Sequence, residues 1–423
     1  MSIPSKFRWN FRLFVVCFCA LAASLPMAWI SLSKLLLFVT ALALLLASLG
    51  RGMDTQVRLP ARTTKVVLIA LGAFGASLLW TEVDLNFALG MLVKHAKLLQ
   101  IVLLVYLIRS AREASLAVKV FVCAQIFVLI SSWLLAAGIA LPWVRNDQTF
   151  VGARYVVFSE SYLDQTLMLA SLAALVWHLR SEWKWPHFVA AAIAVAALLD
   201  VLLLSQGRTG YIACLTVALM ALLWSLSRRM RWLVLLLGPV LIAVAVLAGG
   251  NNRVSTRLSA VVHESQSYSQ SGDTNSSSGW RLNAWRRSVQ AIAIQPWTGY
   301  GVGSFAPVVK RLDGDKAVED FGVGNSSNPH QEYLLWGVEL GVLGSLLLVA
   351  LFVALAMDAR PYPTGIRRAA HSVIAVTAMA CLFNSSLYDA LIGDFLCTAI
   401  GLLMAWGMQR SDPDSPTPAP TAC

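Results

Sequence analysis

Apolar runs, most of them close to the length that a membrane-spanning helix needs, fill almost the whole chain. Such a helix requires about 20 predominantly apolar residues. Of the 423 residues, 58% are hydrophobic and only 13% are charged, and the mean hydropathy is +0.68. This composition predicts an all-α integral membrane protein and argues against a soluble domain.

Twelve runs are candidates for transmembrane helices. They are Leu13–Pro26, Ala28–Leu49, Lys65–Trp80, Ala88–Ile108, Ala114–Leu141, Ser161–Leu179, Phe188–Leu204, Tyr211–Leu226, Trp232–Ala248, Gln331–Met357, Ala370–Leu387 and Leu391–Met408. The sequence therefore predicts about twelve spans, nine within residues 1–249 and three within residues 331–408.

Lysine and arginine residues are concentrated in alternate loops, and loops with this excess face the cytoplasm. The basic clusters lie at residues 6–8, 51–62, 109–112, 180–184, 228–231 and 360–368. Both termini are then cytoplasmic, and the tail at 409–423, rich in proline, serine and threonine, is predicted to be disordered. The net charge of +11 follows from this pattern, so no nucleic-acid partner is expected.

Residues 250–330 form one long polar segment, which is predicted to be a loop on the opposite, periplasmic side. Within it, Leu282, Trp285, Val289 and Ile292 recur at helical spacing from about residue 280, and Pro296 ends the pattern. These residues predict an amphipathic helix that lies along the membrane surface or packs on the bundle.

The seven cysteines do not form a pattern of the kind that makes a disulfide framework or a metal site. Six lie in apolar runs, one ends the tail, and none lies in the long polar loop. Carboxylates on the periplasmic side are not clustered either. We therefore expect no disulfides, no bound metal and no cofactor.

Arg208 lies between two apolar runs on the periplasmic side, in the segment Ser205–Gly210. An arginine there departs from the positive-inside trend, and a guanidinium can bind phosphate oxygens in a bidentate fork. The segment predicts an anion-binding role for Arg208. The alternative is an interfacial arginine whose charged end reaches water.

Arg281 is predicted in the first turn of the amphipathic helix, where free backbone N–H groups favour anions. Arg286 and Arg287 follow closely and are expected to face solvent or lipid headgroups. The alternative for Arg281 is an ordinary surface charge.

His330 follows Pro329, where the long loop ends and a new apolar run begins. A histidine can gain or lose a proton near neutral pH, and this position can contact both water-soluble and lipid-borne groups. Downstream, Gly337 and Gly341 form a small-residue face that lets helices approach closely. These features favour a functional histidine over a structural one.

Lys94 and Lys97 lie within one turn of the fourth apolar run. Their ammonium groups could reach a lipid phosphate, or they could extend to the interface without a specific role. Both readings stay open from the sequence.

These motifs together resemble a known family. The string His330-Gln331, nine residues, Gly341-x-x-Gly344 after a long periplasmic loop resembles the signature of bacterial O-antigen ligases, which are grouped with O-antigen polymerases and protein O-oligosaccharyltransferases. Arg208, in the setting Ser-x-x-Arg-Thr-Gly, matches the first arginine of that family. The family's second arginine lies in the periplasmic loop and usually has a leucine four residues after it. In this chain the residue four positions after Arg281 is Trp285, so Arg257 and Arg287 stay alternatives.

The resemblance implies a GT-C-like fold and a metal-independent, inverting glycosyltransferase in the bacterial inner membrane. The enzyme would transfer a glycan from undecaprenyl pyrophosphate to a sugar hydroxyl of the lipid A–core oligosaccharide at the periplasmic face. It further implies that His330 is the catalytic base and that Arg208 and Arg281 bind the donor pyrophosphate. The possible supporting residues are Gln331, Arg287, Lys94 and Lys97.

Two alternatives stay open. An O-antigen polymerase would use a second lipid-linked glycan as the acceptor. A polysaccharide or lipid transporter would belong to a different class, although the sequence contains no visible inverted repeat. A protein O-oligosaccharyltransferase is less expected, because the chain has no appended soluble domain after the last run.

Overall fold

The computed structural model describes residues 10–49, 58–144, 155–158, 161–205, 207–227, 276–313 and 328–411, together with residues 230, 263, 265–267, 269 and 270. Within these residues every long element is a helix and no strand occurs, so the all-α prediction is confirmed. The apolar run Trp232–Ala248, Arg257 and the tail from residue 412 lie outside the described residues.

Fifteen helices are described. They are α1 (Phe11–Ala22), α2 (Met27–Leu49), α3 (Ala61–Ser77), α4 (Leu85–Ala96), α5 (Leu99–Leu107), α6 (Ala111–Ala136), α7 (Tyr162–Leu179), α8 (His187–Leu199), α9 (Arg208–Ser225), α10 (Ser277–Ile294), α11 (Phe305–Asp313), α12 (Glu332–Leu340), α13 (Val342–Asp358), α14 (Thr364–Phe383) and α15 (Ala390–Ser411). A wider π-helical turn, Asp200–Ser205, extends α8.

The last helix, α15, lies at the centre of the bundle. Of its most apolar 18-residue window, 94% of the residues are buried, against 28% for the corresponding window of α2. Helices α5, α6 and α14 pack directly against it. Helix α2 instead presents an apolar, exposed face, as a lipid-facing helix should. Residues 409–411, predicted as the start of a disordered tail, are the last turn of α15.

The predicted number of about twelve spans is not confirmed. Six described helices are long and apolar enough to cross a membrane, and the bent pair α4–α5 makes a seventh if it forms one span. Helices α1 and α13 are apolar but shorter.

Two runs that we predicted as single helices are each broken. The run Ala88–Ile108 bends by 48° between α4 and α5, where Leu98 and Gln100 make tighter three-residue hydrogen bonds to His95 and Lys97. The run Gln331–Met357 breaks at Gly341 into α12 and α13. There the Val342 N–H donates to the Pro296 carbonyl at 2.7 Å, so the chain after α10 replaces the missing helical bond.

Basic residues from the predicted cytoplasmic loops meet at one end of the bundle through ion pairs. Arg12 pairs with Glu113 at 2.9 Å, Arg62 with Asp358 at 3.2 Å, and Arg410 with Glu182 at 3.3 Å. These contacts agree with the alternation of loops that the charge pattern predicted.

The amphipathic helix forms as predicted, and it packs on the bundle. Helix α10 contacts α12, and α11 covers it. Its buried residues Ala284 and Ala291 join one apolar cluster with Tyr300, Phe305 and Leu335. Because α10 is fixed to α12, the arginines of α10 are held close to His330, which lies two residues before α12 begins.

A substitution at Gly341 tests the account given above of the break between α12 and α13. Its φ is +70° and its ψ is −165°, a region that is essentially restricted to glycine and costs other residues about 1–3 kcal/mol. An added Cβ would also meet the Pro296 carbonyl. We expect Gly341→Ala to lower the thermal unfolding midpoint of the detergent-purified protein by several degrees. Gly72→Ala is the matched control, because a Cβ there meets nothing within 4 Å; equal midpoints for the two variants would contradict this account.

Candidate active site

The backbone around His330 is tied down on both sides. The His330 N–H donates to Asn328 Oδ1 at 2.9 Å, and the Pro329 carbonyl accepts from Trp285 Nε1 at 3.0 Å. Gln331 caps α12, since its Oε1 accepts from the Leu334 N–H at 2.6 Å. His330 itself has a φ of +49°, a left-handed conformation that is uncommon outside glycine and often accompanies function.

The imidazole of His330 is oriented by an amide. His330 Nδ1 lies 2.9 Å from Asn384 Oδ1, and Asn384 Nδ2 donates to Asp389 Oδ2 at 3.0 Å. Because the carboxylate accepts from the amide nitrogen, the amide oxygen must face His330. Nδ1 therefore carries the proton in the neutral ring, and Nε2 is left as the basic nitrogen.

The segment 384–389, which carries both Asn384 and Asp389, is held from two sides by buried charges. Glu332 accepts from the N–H groups of Leu387 and Tyr388, both at 3.1 Å. Lys97 donates to the carbonyls of Tyr388 at 3.1 Å and of Asp389 at 2.7 Å. We refer to Glu332, Lys97 and the segment 384–389 as the loop clamp.

Burial lowers the pKa of His330 below its ordinary value of 6.5, and the positive charge of Arg281 acts in the same direction. The hydrogen bond that His330 donates to Asn384 and the negative charge of Asp389 oppose this shift. Burial also raises the pKa of Asp389. His330 is consequently a neutral imidazole at pH 7, the form that can accept a proton.

Helix α10 brings cationic and aromatic side chains to His330. The Trp280 ring lies 5.1 Å from the His330 ring, centroid to centroid, at an angle of 66°, and the next residue is Arg281. Arg208, the first residue of α9, donates from Nη1 to the Ser278 hydroxyl at 2.9 Å. Arg208 is thus linked to the start of the helix that carries Arg281.

One detail of the Arg281 prediction is wrong. Helix α10 begins at Ser277, and Ser276 caps it by accepting from the Gly279 N–H at 3.0 Å. Arg281 is therefore the fifth residue of the helix and not part of its first turn. A position in the first turn thus cannot be the basis of anion binding by Arg281, which we attribute to its guanidinium charge.

The possible supporting residues differ in their surroundings. Lys94 is half-buried, with Nζ 4.3 Å from the centroid of the Tyr388 ring. Lys97 is 2% exposed, and its bonds within the loop clamp favour a structural role. Arg287 is half-buried on α10 and donates to Gln290 at 3.0 Å.

Sequence reasoning missed three residues of this site: Asn384, Asp389 and Glu332. The available signal was the polar string Asn384-Ser385-Ser386 followed by Asp389, in a short connection between two otherwise apolar runs. Nothing in the sequence shows that this connection lies against His330.

No metal site is apparent in the described part of the chain. There, no three or more histidine, cysteine, aspartate or glutamate side chains lie close enough together to hold an ion. The cationic groups near His330 are arginine and lysine side chains.

Part of the chain is similar to a known protein family. The family model described as O-antigen ligase matches residues 193–349, somewhat more than a third of the chain. No curated protein matches the sequence. Asn384 and Asp389 lie outside the matched segment. The resemblance predicted from the motifs is confirmed: over residues 193–349, which carry Arg208, Arg281 and His330, the chain is similar to the O-antigen ligase family.

Proposed function

We propose that the protein is an O-antigen ligase that transfers a glycan from undecaprenyl pyrophosphate to a sugar hydroxyl of the lipid A–core oligosaccharide. The observation that carries the proposal is the orientation of His330. Its Nδ1 is engaged by Asn384, and no described residue forms a hydrogen bond with Nε2. A neutral imidazole whose second nitrogen can accept a proton, beside an arginine, suits deprotonation of an acceptor next to an anionic donor.

The donor in this reaction is already activated by its pyrophosphate. The acceptor hydroxyl oxygen attacks the anomeric carbon, the bond from that carbon to the phosphate oxygen breaks, and the hydroxyl proton passes to His330 Nε2. Undecaprenyl pyrophosphate leaves with the electron pair of the broken bond. A single direct displacement of this kind inverts the anomeric centre.

Arg208 and Arg281 stabilise the negative charge that grows on the leaving pyrophosphate. Fixed guanidinium groups are effective there, because they need no reorganisation when the charge develops. The link from Arg208 through Ser278 to α10 supports a shared role for the two arginines. In this proposal they replace a metal ion, so the reaction is metal-independent.

The proposed location is the periplasmic face of the bacterial inner membrane. The arginine-rich loops meet at the other end of the bundle, through pairs such as Arg12–Glu113 and Arg410–Glu182. The positive-inside trend assigns that end to the cytoplasm. His330, Arg281 and the loop clamp then face the periplasm, where the GT-C-like mechanism requires them.

Purified protein with lipid-linked glycan tests the proposal directly. We expect transfer to rough lipopolysaccharide and not to a second lipid-linked glycan, and retention of most of the rate after treatment with EDTA. Transfer to the second lipid-linked glycan would identify a polymerase instead. Uptake of glycan into sealed vesicles without any transfer would identify a transporter.

His330→Ala is expected to lower the transfer rate about 10²–10⁴-fold, the usual loss when a general base is removed. The rate of the unaltered protein should fall only when the pH drops below 6.5, because the lowered pKa of His330 keeps this residue deprotonated at neutral pH. Initial rates across a pH series measure both effects. His187→Ala, at an exposed position at the start of α8, is the matched control. A near-normal rate for His330→Ala would rule out His330 as the general base.

Arg208→Ala and Arg281→Ala are each expected to reduce the rate about 10²–10³-fold, as removal of a donor that stabilises transition-state charge does. Lysine at either position should restore only part of it, because lysine keeps the charge and loses the bidentate fork. Arg286→Ala, at an exposed position on the same helix, should retain its rate. If Arg287→Ala were inactive and Arg281→Ala fully active, the loop arginine that binds the pyrophosphate would be Arg287 and not Arg281.

A further inference from the structure

We propose that Asn384 and Asp389 are positioning residues for His330: the amide of Asn384 holds the imidazole so that Nε2 faces the acceptor, and the carboxylate of Asp389 holds the amide. The proposal deepens the proposed function and rests on it for the identity of the acceptor. It assigns a role to two residues that lie beyond the segment similar to O-antigen ligases.

The geometry supplies an unbroken chain of hydrogen bonds. The distances are 2.9 Å from His330 Nδ1 to Asn384 Oδ1 and 3.0 Å from Asn384 Nδ2 to Asp389 Oδ2. Asn384 is 4% exposed, so water cannot easily replace either bond. A base oriented by a third group recurs in catalytic sites of unrelated folds. Here an amide stands between the carboxylate and the imidazole.

The amide cannot pass a proton from the imidazole to the carboxylate without adopting an unfavourable tautomer. Asp389 therefore acts on His330 in two other ways. It fixes which end of the amide faces the ring, and its negative charge favours the imidazolium that forms once Nε2 has taken the acceptor proton.

The charged groups around His330 come from four directions. Arg281 faces it from α10 and Asp389 from the segment 384–389, while Glu332, in the first turn of α12, acts on Asp389. Lys94 and Lys97 act on Asp389 from the end of α4. Arg281 and Asp389 are opposed in their effects on His330. Removal of the Asp389 charge should consequently leave the effect of Arg281 without its opposing partner.

The loop clamp makes the positioning rigid. Glu332 and Lys97 fix Leu387, Tyr388 and Asp389 through their backbone groups, so neither needs the side chain of Asn384 or of Asp389. Substitution of those two side chains should therefore leave the path of the segment intact. This separation makes a positioning role distinguishable from a structural one.

Two variants and two matched controls test the inference. Asn384→Leu removes both amide groups at similar volume, and Asp389→Asn keeps an acceptor for Asn384 Nδ2 but removes the charge. Asn86→Leu and Asp84→Asn make the same chemical changes at exposed positions at the start of α4. Thermal unfolding midpoints establish that each variant is folded.

In the transfer assay, Asn384→Leu should lower kcat about 10²-fold or more, within the range for a lost general base, with the donor KM within about twofold of its original value. Asp389→Asn should lower kcat less and should move the acid limb of the pH–rate profile to lower pH, because the pKa of His330 falls when the opposing charge is removed. A folded Asn384→Leu protein with an unchanged kcat would overturn the inference. So would an Asp389→Asn protein whose acid limb does not move.

A second measurement needs no substrate and separates this inference from the proposed function. Diethyl pyrocarbonate acylates unprotonated imidazole, and mass spectrometry of the peptide that contains His330 gives its modification rate against pH. Asp389→Asn should shift the midpoint of that curve to lower pH, and Asp84→Asn should not. If the unaltered protein transfers no glycan but the midpoint shifts, the proposed function fails and the positioning chain stands. If transfer occurs and the midpoint stays, the positioning chain fails alone.

Discussion

The geometry around His330 depends on two buried charges of opposite sign that act on the same stretch of backbone. Glu332 accepts hydrogen bonds from the N–H groups of Leu387 and Tyr388, and Lys97 donates to the carbonyls of Tyr388 and Asp389. Burial of either charge alone would be costly. Each is tolerated because backbone dipoles complete its hydrogen bonds, and the result is a fixed connection between α14 and α15. That connection belongs to the loop clamp and carries Asn384, the side chain that orients His330.

A second buried carboxylate secures the other end of α12. Glu339 accepts from the Gly303 N–H at 2.7 Å and lies 2.9 Å from His95 Nε2, while its carbonyl accepts from the Gly301 N–H at 2.9 Å. The turn after α10 is thereby fixed to the last turn of α12, and Trp285 fixes α10 itself to Pro329. Because α10 and α12 are joined at both ends, these contacts set the distance between Arg281 and His330.

The sequence predicted the features that depend on local pattern. The apolar runs located most of the helices, the spacing of Leu282 and Trp285 located α10, and the chemistry of His330 and Arg208 singled out a candidate site. The features that it could not predict depend on contacts between distant segments. The break at Gly341 requires the Pro296 carbonyl, the first turn of α10 begins at Ser277 because Ser276 caps it, and Asn384 reaches His330 across 54 positions of sequence. A polar string such as Asn384-Ser385-Ser386 has the same composition whether it faces solvent or a partly buried histidine.

Under the proposed function, Arg281 and Asp389 together would give His330 a base strength that depends on donor binding. The Arg281 charge lowers the pKa of His330, and the Asp389 charge opposes this shift. Under the proposed function, a bound pyrophosphate would compensate the Arg281 charge, and the balance would then shift towards Asp389. The imidazole would become a stronger base when the donor is present, at the moment when the acceptor hydroxyl must lose its proton. The same arginine that stabilises the leaving group would in this way couple donor binding to the readiness of the base, with no conformational change needed.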